Sequence, residues 1–179
     1  FNLGRKLAFD PCISQERAQE FGVELVAIET VFAESDFLCI NCPLNDKTRG
    51  LVDVRFLSLM KPTAYLINTA RGPIVQQDAL VKALEEGWIA GAGLDVFDPE
   101  PLPTDHPLTR MGNVILSPHA LAWTDDLYRA NGVDACENVL TVLRGEIPRH
   151  AANQEVAGRP SFQAKLCALR QRWEMLSLS

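Results

Sequence analysis

The chain predicts an α/β fold, a doubly wound parallel sheet. Three observations lead there. Strand-length apolar runs alternate with helix-length amphipathic segments along most of the chain. Runs such as "FLCINC" and "AYLINTA" are apolar on both faces, as strands are when helices cover both sides of a parallel sheet. Polar residues (Asp10, Arg71, Asp95 and His119) then stand just past successive runs, where open α/β sheets bind ligands.

Each element has a local reason. "RKLAFD" reads as a strand and "SQERAQEFG" as a helix, with Ser14 as N-cap and Gly22 as stop. "VELVAI" is a second strand, and "TVFAESD" a short helix. "FLCINCP" is a strand that stops at Pro43. The polar loop "LNDKTRGLVD" leads to a helix ending near Met60. "AYLINTA" is the next strand. "QQDALVKALEEGW" is a helix whose apolar stripe is Ala79, Leu80, Ala83 and Leu84. "AGAGLDVF" is a strand, "DPEPLPTDHPL" a Pro-rich loop, and "NVILSP" the sixth strand. A long helix runs from Thr124 to Arg144, its positive end facing Asp125 and Asp126. An irregular stretch and a final helix, "FQAKLCALRQRWEML", follow.

Composition excludes several function classes. Lys and Arg are scattered and the net charge is −6, so there is no basic stripe for nucleic acid. No apolar run approaches the ~20 residues that span a bilayer, and the N-terminus lacks a signal-peptide pattern. Five cysteines, an odd number, imply free thiols and a reducing, cytoplasmic compartment. Cys39 and Cys42 have CxxC spacing but lie in a strand-like run, where they face opposite sides; no metal site is expected. His106, in a loop, and His150, in the tail, read as surface residues.

The strand exits carry the candidate chemistry. Asp10 suits the two hydroxyls of an adenine ribose and repels a 2′-phosphate; it equally suits an Asp-Pro turn. Arg71 can fork onto a planar carboxylate, or pair with a surface acid. Gly72 after it allows close backbone approach. Glu100 beside His119 would make an acid–base pair, since a neighbouring carboxylate favours a protonated imidazole. Read singly, Glu100 is a solvated loop acid and His119 a cap on a strand end. Together the three are what hydride transfer next to a carboxylate requires: an anion anchor and a proton carrier.

On "AFDP", "CPLNDKTRGLVD", "MKPTAYLINTARGPIVQQDALVKALEEG", "IAGAGLDVFDPEP" and "NVILSPH", the chain resembles the NAD-binding region of the D-isomer-specific 2-hydroxyacid dehydrogenases, from about Lys6 to Asn153. The resemblance implies a Rossmann-like fold, NAD rather than NADP, and a small anionic 2-keto or D-2-hydroxy acid substrate. Glyoxylate/hydroxypyruvate reductases and phosphoglycerate dehydrogenases look most similar. It makes Arg71 the carboxylate anchor, His119 the general acid–base and Glu100 its polarising partner. It places Asp95 on the nicotinamide carboxamide and Asp10 on the ribose. Cys42, Pro43, Thr48, Thr69 and Ala70 would line the cofactor cleft with Arg71 and His119. It also implies a homodimer.

Two departures qualify the resemblance. The family's GxGxxG turn does not occur in the chain, which opens at Phe1 without Met. The missing strand would lie between "RKLAFD" and "FLCINC". "PHALAW" replaces a glycine that many members carry soon after the histidine. The expected organisation is a partial NAD-binding domain over 1–122, then a crossover helix and return segment over 123–179. Leu166, Leu169 and Trp173 in that segment should be partly uncovered, and residues 1–179 alone should turn over little or no substrate. A non-catalytic NAD(H)-sensing module of corepressor type is the alternative.

Overall fold

A computed structural model of the chain describes residues 4–177. The unusual start at Phe1 lies outside them. Among these residues, six strands and six α-helices follow the expected order. The strands are β1 (Leu7–Ala8), β2 (Glu24–Leu25), β3 (Phe37–Ile40), β4 (Tyr65–Asn68), β5 (Gly91–Leu94) and β6 (Val114–Leu116). The helices are α1 (Gln15–Glu20), α2 (Ile28–Glu34), α3 (Val54–Leu57), α4 (Gln77–Glu85), α5 (Asp125–Leu143) and α6 (Pro160–Ser177).

Local signals set several boundaries. Ser14 caps α1 by accepting the Arg17 N–H, and Gly22 turns the chain at φ +64°. Asp53 caps α3 through the Phe56 N–H, and Thr124 caps α5 through Leu127. The second helix starts earlier than "TVFAESD" suggests and takes in Ile28, which packs beside the core.

All strand pairs are parallel, but they form two sheets, β1–β2 and β3–β4–β5–β6. Among the described residues β3 pairs only with β4, so the ladder is interrupted where the sequence places a missing strand. The core lies on one face of the larger sheet. Leu38, Leu66, Ala92 and Leu94 pack there with Phe56, Leu57 and the predicted α4 stripe. On the other face, Phe37 and Ile115 are 68% and 78% exposed, and Phe37 stacks on Tyr65. The expectation of a sheet covered on both faces therefore holds for one face only.

The chain divides into two compact units after Leu121. In the second, α5 packs against α6. Gly145 follows α5 at φ +73°, and a Cβ there would sit 2.4 Å from the Leu166 carbonyl oxygen. Leu166 is buried, contrary to the expectation of partial exposure; Leu169 and Trp173 are partly covered. Arg170 Nη2 donates to the Gly145 carbonyl at 3.0 Å.

Candidate active site

The ends of β4, β5 and β6 and the loops after them bring three chemical groups together. Asn68, buried at the end of β4, shapes the first loop. Its Oδ1 accepts the Ala70 N–H at 3.1 Å, and its Nδ2 donates to the Arg71 carbonyl at 3.0 Å. This presents Arg71 outward. One Arg71 nitrogen, Nη1, donates to the Ala70 carbonyl at 2.6 Å. No carboxylate among the described residues lies in ion-pair contact with it, so the surface-pair reading does not hold. A guanidinium with unused donors at a strand exit is suited to an incoming anion.

Gly72 couples this loop to the one carrying Glu100. A Cβ on Gly72 would lie 1.9 Å from the Phe97 carbonyl oxygen, so the two backbones touch where only glycine fits. Glu100 Oε1 accepts the Phe97 N–H at 2.9 Å, and Oε2 lies 2.9 Å from His119 Nδ1. An ionised carboxylate only accepts, so Nδ1 carries the proton and donates. Nε2 is left as the nitrogen for proton exchange. The His119 hydrogen bond holds the Glu100 carboxyl below its usual range, helped by the Phe97 amide and by the charges of His119 and Arg71.

His119 sits at φ 55°, the one non-glycine residue in the left-handed region among those described. Asp95 supports that backbone. Its oxygens accept the Ala120 N–H at 2.9 Å and the Leu121 N–H at 3.2 and 3.3 Å. Burial pushes the Asp95 pKa up, but bonds from the Ser117 side chain and these two amides, with the His119 charge, outweigh it and lower it. Asp95 thus holds the His119 loop; the contact with the nicotinamide carboxamide is what the family resemblance implies for it.

The cofactor-side candidates are placed as follows. Asp10 lies just beyond β1, and its Oδ1 accepts the Cys12 N–H at 2.8 Å, as an Asp-Pro turn does. Its other oxygen has no protein partner among the described residues. Cys42 is half-buried past β3, and burial raises its thiol pKa, so it stays protonated near neutrality. Cys39, within β3, is exposed. Thr48 is taken up by its own loop, donating to the Pro43 carbonyl at 2.6 Å. Pro43 and Thr69 are exposed, and Ala70 is half-buried. His106 corrects the surface reading: it is half-buried, its Nδ1 accepts the Leu108 N–H at 3.2 Å, and its Nε2 lies 3.1 Å from Gln77 Nε2.

The supporting amides of Asn68 and Gln77 were not read as part of the site. The available signal was position: Asn68 ends a strand beside Arg71, and Gln77 opens the helix after it.

The two depressed carboxyls link stability to pH. The Glu100 contribution is complete above the ordinary glutamate value of about 4.3 and is lost as pH falls through the lower folded value. Asp95 behaves likewise from about 3.9 downward. Glu100→Gln is expected to flatten part of the fall in urea midpoint between about pH 6 and about pH 3. An undiminished fall in that variant would assign the acid sensitivity to other groups.

Comparison with known proteins adds the family. The model for the D-isomer specific 2-hydroxyacid dehydrogenase, NAD binding domain, matches residues 4–120. The chain belongs to this family. Glyoxylate reductase from Korarchaeum cryptofilum is 44% identical over 161 residues, covering 89% of this chain and 48% of that protein. D-3-phosphoglycerate dehydrogenase from Synechocystis is 43% identical over 152 residues, covering 84% and 27%. The NAD-complexed D-isomer specific 2-hydroxyacid dehydrogenase of Lactobacillus delbrueckii superposes with a TM-score of 0.73 at 32% identity, covering 81% of this chain and 48% of that one. The chain spans about half the length, or less, of the curated relatives it matches. NAD is the cofactor of this family's domain, and the residues here fit it: a carboxylate past β1, small uncharged exits at β3 and β4, and an unpaired guanidinium beyond. No described helix is long and apolar enough to cross a membrane.

Proposed function

We propose that the whole protein is an NAD-dependent oxidoreductase that interconverts small 2-keto acids and D-2-hydroxy acids. The observation that carries this is the 2.9 Å contact between Glu100 and His119, with the Glu100 loop tied to the one presenting Arg71. Arg71 binds the substrate carboxylate. His119 Nε2 gives a proton to the forming alkoxide during reduction, and takes it back during oxidation. Glu100 holds the imidazole so that Nε2 faces the reaction. Asp95 fixes the loop behind it. NAD, when bound, supplies or accepts the hydride.

Asp10 takes the ribose hydroxyls with its free oxygen, and Cys42, Pro43, Thr48, Thr69 and Ala70 form the adjacent wall. Relatives named glyoxylate reductase and glyoxylate/hydroxypyruvate reductase B favour glyoxylate and hydroxypyruvate as first substrates to try. A cytoplasmic homodimer completes the proposal; five free cysteines favour the reducing compartment.

NADH titrated into the whole protein, with and without glyoxylate or hydroxypyruvate, tests this. The expected result is saturable binding and 2-keto-acid-dependent loss of NADH absorbance. Binding without turnover would replace the enzyme by an NAD(H)-sensing module.

A further inference from the structure

The acid–base pair is exposed, with Glu100 on the loop after β5 and His119 on the loop after β6. The Glu100 side chain is 37% exposed and that of His119 48%. A carboxylate so placed has other rotamers open to it, so something must hold its loop in register. The Phe97 amide fixes one Glu100 oxygen, but it belongs to the same loop. Phe97 is held in turn by its own buried ring, which leaves the Asp98 backbone, between it and Glu100, to be tied to the core by a polar contact.

That tie is made by Gln77. It occupies the first turn of α4, a helix anchored by buried Ala79, Leu80, Ala83 and Leu84. Its amide engages both backbone groups of Asp98. Nε2 donates to the Asp98 carbonyl at 3.2 Å, and the Asp98 N–H donates to Oε1 at 3.3 Å. A side-chain amide carries a donor and an acceptor side by side, as the N–H and C=O of a single residue require. Asp98 lies between Phe97, which binds Glu100 Oε1, and Glu100, which binds His119.

We infer that Gln77 is the residue that positions Glu100 against His119. This rests on the proposed acid–base role of the pair, which Gln77 does not touch. It acts through the Asp98 backbone, as a clamp between a core helix and a solvent-exposed loop. The charged groups facing Glu100 are His119, from the loop after β6, and Arg71, from the loop after β4; Asp95 faces His119 from the end of β5. Gln77 adds no charge of its own to that set, so any effect on Glu100 reports geometry.

The test uses the 179-residue chain with Gln77→Met, which keeps the length of the side chain and removes both bonds. Gln77→Ala is the second variant, since alanine favours the helix. Carbon-13 NMR follows the Glu100 carboxyl as pH is lowered, and thermal unfolding is recorded alongside. In both variants the Glu100 midpoint should rise toward the ordinary value of about 4.3, with the unfolding transition retained. A midpoint that stays at its wild-type position in a folded variant overturns the inference.

In the whole protein, kcat should fall on the order of tenfold, part of the ~10²–10⁴ that a positioned acid–base supplies, with KM for the keto acid little changed. Unchanged kcat in an active protein also overturns it. An absence of turnover in the wild type removes the proposed function and leaves the Glu100 titration to decide the clamp.

Discussion

Gly72→Ala is expected to unseat both halves of the site at once. The new methyl would meet the Phe97 carbonyl oxygen at 1.9 Å, its carbon at 2.1 Å and its Cα at 2.7 Å. All three are backbone atoms, so no side-chain rotation relieves the clash. Either the Arg71 loop or the Phe97–Glu100 loop must move away. Overpacking a filled interior costs about 1–3 kcal/mol, and a backbone-on-backbone clash belongs at or beyond the top of that range. For a chain of this size that is a fall in melting temperature of about 6–12 °C. The Glu100–His119 contact should loosen with it, because Glu100 is fixed to the Phe97 amide. Calorimetry measures the first effect and the Glu100 carboxyl titration the second. A variant with wild-type melting and titration would mean that the two loops separate without cost, and that Gly72 does not join them.

Arg71→Ala is expected to produce the largest change in substrate use. The guanidinium makes one bond to its neighbour's carbonyl and has no carboxylate partner among the described residues. Its other donors are therefore available to an anion. Removing one member of a hydrogen-bonded charge pair costs about 2–5 kcal/mol, so kcat/KM for a 2-keto acid should fall on the order of 10²–10³-fold. The substrate carboxylate is bound in both the ground and the transition state, so most of the loss should appear in KM. NADH binding should persist, since the ribose-side candidate Asp10 and the exits of β3 are untouched. Steady-state rates against keto acid concentration, beside NADH fluorescence titration, separate the two. Unaltered kcat/KM would remove Arg71 from the substrate site.

Much of this arrangement was legible in residue order because the fold places strand exits on one rim. Arg71, Asp95 and His119 each follow a run that reads as a strand, and the structure sets each just beyond one. The α4 stripe was equally plain, since four apolar residues at helical spacing have one way to be buried together. Two relations were hidden for physical reasons. The bonds from Gln77 to Asp98, and from Asp95 to the amides of residues 120 and 121, join positions 21 or more apart, and both use backbone groups that every residue shares. Nothing in the residue type marks Asp98 or Ala120 as the recipient.

Neither the split of the six described strands into two sheets nor the exposed second face was expected from the single doubly wound sheet that the sequence predicts. Apolar residues on both sides of a strand state only that both sides are suited to burial, not which element covers them. Phe37 and Ile115 carry that pattern and are exposed all the same. Leu166 departs in the opposite direction: it is buried where partial exposure was expected.

The most direct test of the account is a crystal structure of the whole protein with NADH and oxalate, a small anion that copies the planar carboxylate of a keto acid. The Arg71 guanidinium should fork onto one end of the oxalate, and His119 Nε2 should lie within hydrogen-bond reach of an oxygen at the other. An oxalate bound out of reach of both groups would contradict it.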